Sequence, residues 1–219
     1  MTTLYGSLHS RANRCAWMLK ELGIDFHHEP TNFLDGSTHS PEFLKINPNG
    51  RIPALEDGGL TLFESLAINL YLAKKVGGEL APQSLQEDAL MMQWTIWAIT
   101  EIEKPLLLAS ANNLLFAPES RNVEEFNLAV KKLSRPWDVL NKHLENKEYI
   151  LGDRFSAADL NVAAVMTLVP TANIDISAWP NMQAWLHKCL ERPAADDWKH
   201  VSFTIPRPDS HLGMLAMFV

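Results

Sequence analysis

The chain is poor in cysteine and has no block of like charge. Its 219 residues include two cysteines, Cys15 and Cys189, far apart and without a CxxC pair. A disulfide framework needs several spaced cysteines and a zinc site needs clustered thiols or imidazoles, so neither is expected. His27 and His28 alternate faces on an expected strand with no ligand partners nearby, so no metal is expected there either. Formal charge is −7, from 19 Lys and Arg against 26 Asp and Glu, spread along the chain. Without a basic block, nucleic acid and anionic membrane are not expected partners. Long apolar runs are also missing, and the longest, around 160–169, is too short to span a bilayer. The stretch Met1-Thr2-Thr3-Leu4-Tyr5-Gly6 has no basic segment leading into an apolar one. No secretory signal is read, and a reduced cytoplasm is the expected compartment.

Hydrophobic residues make up 47% of the chain, enough for a full globular core. The length allows one large domain or two small ones. Pattern and turn chemistry predict a strand over 2–5, a loop over 7–10 and a helix over 11–22. That helix has Cys15, Leu19 and Leu22 on one face and Gly23 as its stop. A second strand is predicted over 24–29, then a polar loop over 31–40. A short helix over 41–46 carries Pro41 in its first turn. Strands over 52–55 and 60–63 flank the hairpin signal Asp57-Gly58. A helix over 65–76, stopped by Gly77-Gly78, completes an α/β unit over 1–78.

Beyond a linker over 79–86, no convincing strand is read, and 87–199 is predicted to be all helical. A long helix over 84–116 carries Leu90, Trp94, Trp97, Ile99 and Ile102. Pro105 is expected to kink it or break it in two. Trp94, Trp97, Met91 and Met92 read as core or subunit surface, with Trp97 also placed to wall a second pocket. A helix over 123–144 is expected to kink at Pro136. Ser156 followed by Asp159 is an acidic variant of the capping box, with Phe155 stapled against Leu160. Losing that serine would cost on the order of 1 kcal/mol. The helix it opens is nearly all apolar and should be buried. A last helix over 180–191 turns Met182, Trp185, Leu186 and Cys189 inward. The tail over 200–219 ends in eight nearly uncharged residues, Leu212 to Val219. They are expected to pack over the helical unit or a second-substrate pocket.

The most informative stretch runs over 47–65. Asn47-Pro48-Asn49-Gly50 is turn chemistry. Pro53 inside the following strand marks an edge or a special turn, because proline cannot donate to a ladder. With a cis Ile52-Pro53 bond, Ile52 would offer its N–H and C=O outward, and an extended peptide could pair with them as an added strand. Glu64-Ser65 opens a helix whose free N–H groups favour a carboxylate. Ser65 would bond that carboxylate, and Glu64 would hold an ammonium group. A ligand with a peptide bond, an α-amino group and an α-carboxylate fits all three. A proline-bearing edge strand and a capped helix explain the same residues without any ligand.

Asn47-Pro48-x-Gly50-x-Ile52-Pro53-x-Leu55 followed by Phe63-Glu64-Ser65 resembles the glutathione site of cytosolic glutathione transferases. Gly152-Asp153-x-x-Ser156-x-Ala158-Asp159 is similar to the pattern that opens the family's central helix. The resemblance covers about residues 1–195. It implies a thioredoxin-like α/β N-terminal domain and an all-α C-terminal domain. It also implies glutathione as co-substrate, a small electrophilic and hydrophobic second substrate, and a homodimer. By the same resemblance Pro53 is cis, Ile52 pairs with the cysteinyl backbone of glutathione, and Glu64 and Ser65 hold its γ-glutamyl end. His39 and Arg51 lie within reach of the glycine carboxylate, or are plain surface.

The glutathione thiol must lose its proton to attack. With an ordinary thiol pKa of about 8.5, only about 3% is thiolate at pH 7. Lowering that pKa by two units takes about 2.7 kcal/mol, which a hydroxyl donor and a helix N-terminus can supply. Serine-type members of the family carry the hydroxyl in the first strand–helix loop, where Ser10 is the match; otherwise Ser10 is a helix cap. Asn13, in the first helical turn, and Tyr5, at the strand end, are the alternates. Arg14 reads as a solvated helix residue near the site, and Cys15 as packed. No thiol stands at position 10, which argues against the cysteine-type branch. A bacterial serine-type member, theta- or zeta-like, is the nearest description. The zeta Ser-Ser-Cys motif is replaced by Ser10-Arg11-Ala12. Competing readings are a glutathione-dependent isomerase or dehalogenase, and a non-catalytic binding protein of the same fold.

Overall fold

The structure, a computed structural model, describes residues 1–195. The apolar tail and its expected packing lie outside the described residues. Four strands form one sheet in the order β2-β1-β3-β4. Strands β1 (Thr2–Tyr5) and β2 (Phe26–Glu29) run parallel, joined by helix α1 (Ala12–Glu21). Strand β3 (Ala54–Asp57) is antiparallel both to β1 and to β4 (Leu60–Phe63). Side chains alternate across the sheet. Leu4 is fully buried in the core shared with α1 and with α3 (Ser65–Val76). Tyr5 points to the other face, where its ring meets Phe43 of α2 (Pro41–Ile46) edge-on at 6.3 Å.

Helix α2 and helix α3 take the spans read from the sequence. The first helix is shorter than expected by one residue at each end. The second strand starts at Phe26 rather than at residue 24. A larger correction falls on β3, which begins at Ala54. Ile52 and Pro53, expected inside the strand, precede it. The Ile52-Pro53 bond is cis. Pro53 has no N–H for the ladder, so pairing starts one residue later.

The second unit starts at α4 (Leu85–Trp97), capped by the Ser84 hydroxyl accepting from Glu87 N–H at 3.1 Å. Pro105 does not break this helix. The turn before it, Ala98–Glu103, opens to a wider π-type turn, and α5 (Lys104–Ser110) continues the path. Widening relieves the clash between a proline ring and the carbonyl four residues back. Helix α6 (Val123–His143) likewise runs unbroken through Pro136. Helix α7 (Ala157–Met166) is buried along its whole length and packs on α1, α3, α4 and α9 (Pro180–Leu190). A short helix, α8 (Leu168–Thr171), follows α7. The Asp159 carboxylate accepts from Ser156 N–H and Oγ–H, from Ile150 N–H and from Trp185 Nε1–H. Burial pushes the Asp159 carboxyl above its ordinary range, and these four donors oppose that shift. The cap therefore also ties together three segments of the helical unit. Among the described residues, no helix is long and apolar enough to cross a membrane, and no group of His, Cys, Asp and Glu could hold a metal ion.

Candidate active site

Three chain segments meet at the end of the sheet where β1 stops. The register pairs Ala54 with both Tyr5 and Phe63, so Gly6, Pro53 and Glu64 leave their strands side by side. Gly6 has φ +133°, and a Cβ there would stand 2.9 Å from Ala12 Cβ and 3.0 Å from Ile52 Cβ. Only glycine lets the loop after β1 press against both the first turn of α1 and Ile52. Two bonds anchor the loop: Gly6 N–H donates to the Glu29 carbonyl at 2.9 Å, and Ser7 N–H to that of Thr31 at 3.0 Å. His28 Nε2 lies 2.8 Å from the Gly6 carbonyl, so this imidazole serves the loop.

Ile52 makes no backbone hydrogen bond among the described residues, so its N–H and C=O are free for an added strand. Glu64 is the N-cap of α3 at φ +71°, a left-handed conformation that costs a non-glycine residue energy. Ser65, the first helical residue, is 4% exposed, and its hydroxyl has no bonded partner among the described residues. The exposed His39 lies against the Gly50 turn: a Cβ on Gly50 would meet its Nε2 at 3.1 Å. Arg51 is exposed beside that turn, its carbonyl accepting from Asn47 Nδ2 at 2.6 Å. His39 and Arg51 thus lie at the turn that leads into Ile52, and Glu64-Ser65 follow the strand paired with β3.

Ser10 is half-buried just before α1. Its hydroxyl donates to the Ser7 carbonyl at 2.6 Å and accepts from Ala12 N–H at 3.2 Å. It therefore pairs the N–H of the first helical residue, one position before the N-cap Arg11. Asn13 is 9% exposed, and its Nδ2 is buried without a partner. Tyr5 is placed elsewhere. Its hydroxyl donates to Glu56, a bond that, with burial, raises its pKa to about 12. Cys15 is packed, and burial pushes its thiol up.

Arg14 corrects the expectation of a solvated residue. It is buried, and its Nη2 donates to Glu103 Oε1 at 2.6 Å, across the gap between the two units. Arg11 Nε donates to the same oxygen at 2.9 Å. Burial pushes Glu103 up, but Arg14 and Arg11 outweigh it and hold the carboxyl down at about 2. Burial pulls Arg14 below its ordinary range, yet a guanidinium keeps its proton at any working pH, so the pair stays ionised. A depressed carboxylate stabilises the fold above its unfolded pKa, and that stability is lost as pH falls towards the folded value. Glu103→Gln is thus expected to flatten the pH dependence of stability between about pH 4.5 and 2. Urea midpoints across that range check it.

A second polar group crosses the same interface. Asn69 Nδ2 donates to Asn161 Oδ1 at 2.9 Å and to the Arg14 carbonyl at 3.2 Å. Asn161 Nδ2 donates to Thr95 Oγ1 at 3.1 Å. Sequence reasoning missed this network together with Glu103. A signal was present, since Asn69 and Asn161 interrupt apolar helices, and a buried amide needs partners.

A thioredoxin-like sheet with a cis-proline edge beside a helix N-terminus, joined to an all-helical unit, defines a class of two-domain proteins. Residues 1–74 match the glutathione S-transferase N-terminal domain and 91–193 the C-terminal domain. Glutathione S-transferase 1 of Zea mays is 36% identical over 204 residues, covering 87% of this chain and 92% of that one. The disulfide-bond oxidoreductase YfcG of Escherichia coli is 31% identical over 203 residues, with 89% and 92% covered. The solved maize glutathione S-transferase I in complex with an atrazine glutathione conjugate superposes with a TM-score of 0.82. It is 31% identical, with 91% of this chain and 97% of that one covered. The chain belongs to the glutathione S-transferase family.

Proposed function

We propose that this protein is a glutathione transferase that binds glutathione along Ile52 and activates its thiol at Ser10 for attack on small electrophiles. One observation carries the reading: the backbone of Ile52, next to the cis Pro53, is unpaired at the end of the sheet where Glu64 opens α3. An unpaired edge beside a helix N-terminus suits an extended peptide with an amino acid head. Ile52 pairs with the central peptide, Glu64 and Ser65 hold the γ-glutamyl end, and His39 and Arg51 take the glycine carboxylate. Ser10 is preferred to Asn13 as thiol partner because its hydroxyl is half-open, whereas the Asn13 amide is closed off. The hydroxyl turns from the Ser7 carbonyl to the sulfur, an exchange of one acceptor for a charged one. The glutathione conjugate in the maize complex supports transfer, and the YfcG likeness makes disulfide exchange the competing outcome. Retention on immobilised glutathione, followed by thiol consumption with a panel of electrophiles, tests the reading. Retention without consumption would leave a binding protein, and disulfide reduction alone would move the chain to the oxidoreductases.

The serine-type, theta- or zeta-like placement rests on the Ser10 loop. We further propose a cytoplasmic homodimer with the domain division 1–78 and 87–199. Both cysteines are free and buried, which suits a reducing compartment. Leu85, Met92, Ile96 and Ile99 form an exposed apolar row along α4 and the turn after it. Leu60 and Phe63 are exposed on the edge strand β4. Contiguous apolar surface of this kind favours a partner. Sedimentation at micromolar concentration is expected to give twice the chain mass; a monomer mass would remove the proposal.

A further inference from the structure

Arg11 stands one residue beyond Ser10, at the N-cap of α1. Its side chain crosses to Glu103, at the end of the π-type turn, so it lies where the two units face each other. The Glu103 oxygen it bonds also receives Arg14 Nη2, so one carboxylate serves two guanidiniums. The cluster keeps one surplus positive charge. Arg14 cannot present it, since its side chain is 8% exposed and its Nη1 is buried without a partner. Arg11 can: its side chain is 39% exposed, and its two terminal nitrogens bond nothing among the described residues. Glu101 lines a groove with Gln93, Trp97 and Arg135, and the carboxylate paired with Arg11 is that of Glu103.

We infer that Arg11 is a specificity-determining residue, whose free terminal nitrogens bind an anionic group, a carboxylate or sulfonate, on the second substrate. The inference rests on the transferase reading. Glutathione's own carboxylates are assigned there to the α3 N-terminus and to His39 and Arg51, which leaves Arg11 unclaimed. Ser10 and Arg11 are consecutive, and the Arg11 side chain reaches into the gap toward Glu103, so one small molecule can meet a sulfur at Ser10 and the guanidinium together. A guanidinium fork matches a carboxylate in geometry as well as charge, and the half-buried setting screens the pair less than open water does.

The test compares 4-chloro-3,5-dinitrobenzoate with 4-chloro-3,5-dinitrobenzamide, and each kcat/KM is divided by that compound's uncatalysed rate with glutathione, because the amide activates the ring more than the carboxylate does. On that scale the wild type is expected to show the higher kcat/KM with the benzoate. Arg11→Gln is expected to lower the benzoate-to-amide ratio about tenfold, mainly through KM, and Arg11→Lys to restore part of it. Calorimetry with glutathione runs alongside. A wild type that favours the amide, or a ratio unchanged in Arg11→Gln, overturns the inference while the transferase reading stands. So does a glutathione affinity that falls in Arg11→Gln without any change in the ratio. If the wild type turns over neither compound yet binds glutathione, the transferase reading fails and the inference with it.

Discussion

Ser10→Ala is expected to raise the pKa of the bound glutathione thiol by one to two units. That corresponds to about 1.4–2.7 kcal/mol of lost thiolate stabilisation. At pH 7 the conjugation rate should fall about 10- to 100-fold and recover in part as pH rises, since more of the thiol then ionises. Glutathione affinity should hold, because Ile52, Glu64 and Ser65 carry it. The structure adds a complication. The Ser10 hydroxyl also accepts from Ala12 N–H, so its removal takes a partner from the first turn of α1 and costs stability on the order of 1 kcal/mol. Losing that partner does not shift a thiol pKa, and thiolate absorbance of the binary complex titrated across pH separates the two effects. Coincident curves for wild type and Ser10→Ala would reduce Ser10 to that structural role. The same titration on Asn13→Ala would then show whether that buried amide reaches the sulfur.

Ser65→Ala should weaken binding more than chemistry. The hydroxyl has no partner among the described residues, although Ser65 is 4% exposed, so it is held ready at the start of α3. Removing it leaves a bound carboxylate short of one charge-assisted hydrogen bond, worth roughly 1.5–3 kcal/mol. The glutathione Kd should rise about 10- to 150-fold. The thiol pKa in the saturated complex should stay put, because Ser65 lies at the far end of the ligand. Calorimetry gives the first quantity and the absorbance titration the second. An unchanged Kd would place the γ-glutamyl carboxylate elsewhere.

Much of this site was legible because its parts are local. The run 47–65 carries its own turn, edge and helix start within nineteen consecutive positions. The hairpin turn falls on Gly58-Gly59, one position past the Asp57-Gly58 signal, and that turn sets Phe63 opposite Ala54. The Ser156–Asp159 cap was legible for the same reason, since its signal spans four residues. Helix spans came within a residue or two, as expected where fraying sets the ends.

What sequence pattern could not decide was anything carried by two distant segments. Arg14 looked like a solvated cation until Glu103, eighty-nine positions later, took it inside. Tyr5 looked like a spare hydroxyl until β3 set Glu56 in its reach. Pro105 looked like a break, but a widened turn absorbed its ring. By itself the sequence determined the order of elements, the two-unit architecture and the candidate stretch for a peptide ligand. These rest on short-range backbone preferences and periodic burial, which act over a few residues. The tertiary structure alone decided which charges are buried, which hydroxyl is already committed and which guanidinium stays free. Desolvation and Coulomb pairing depend on distances in space, and those exist only once the two units are packed together.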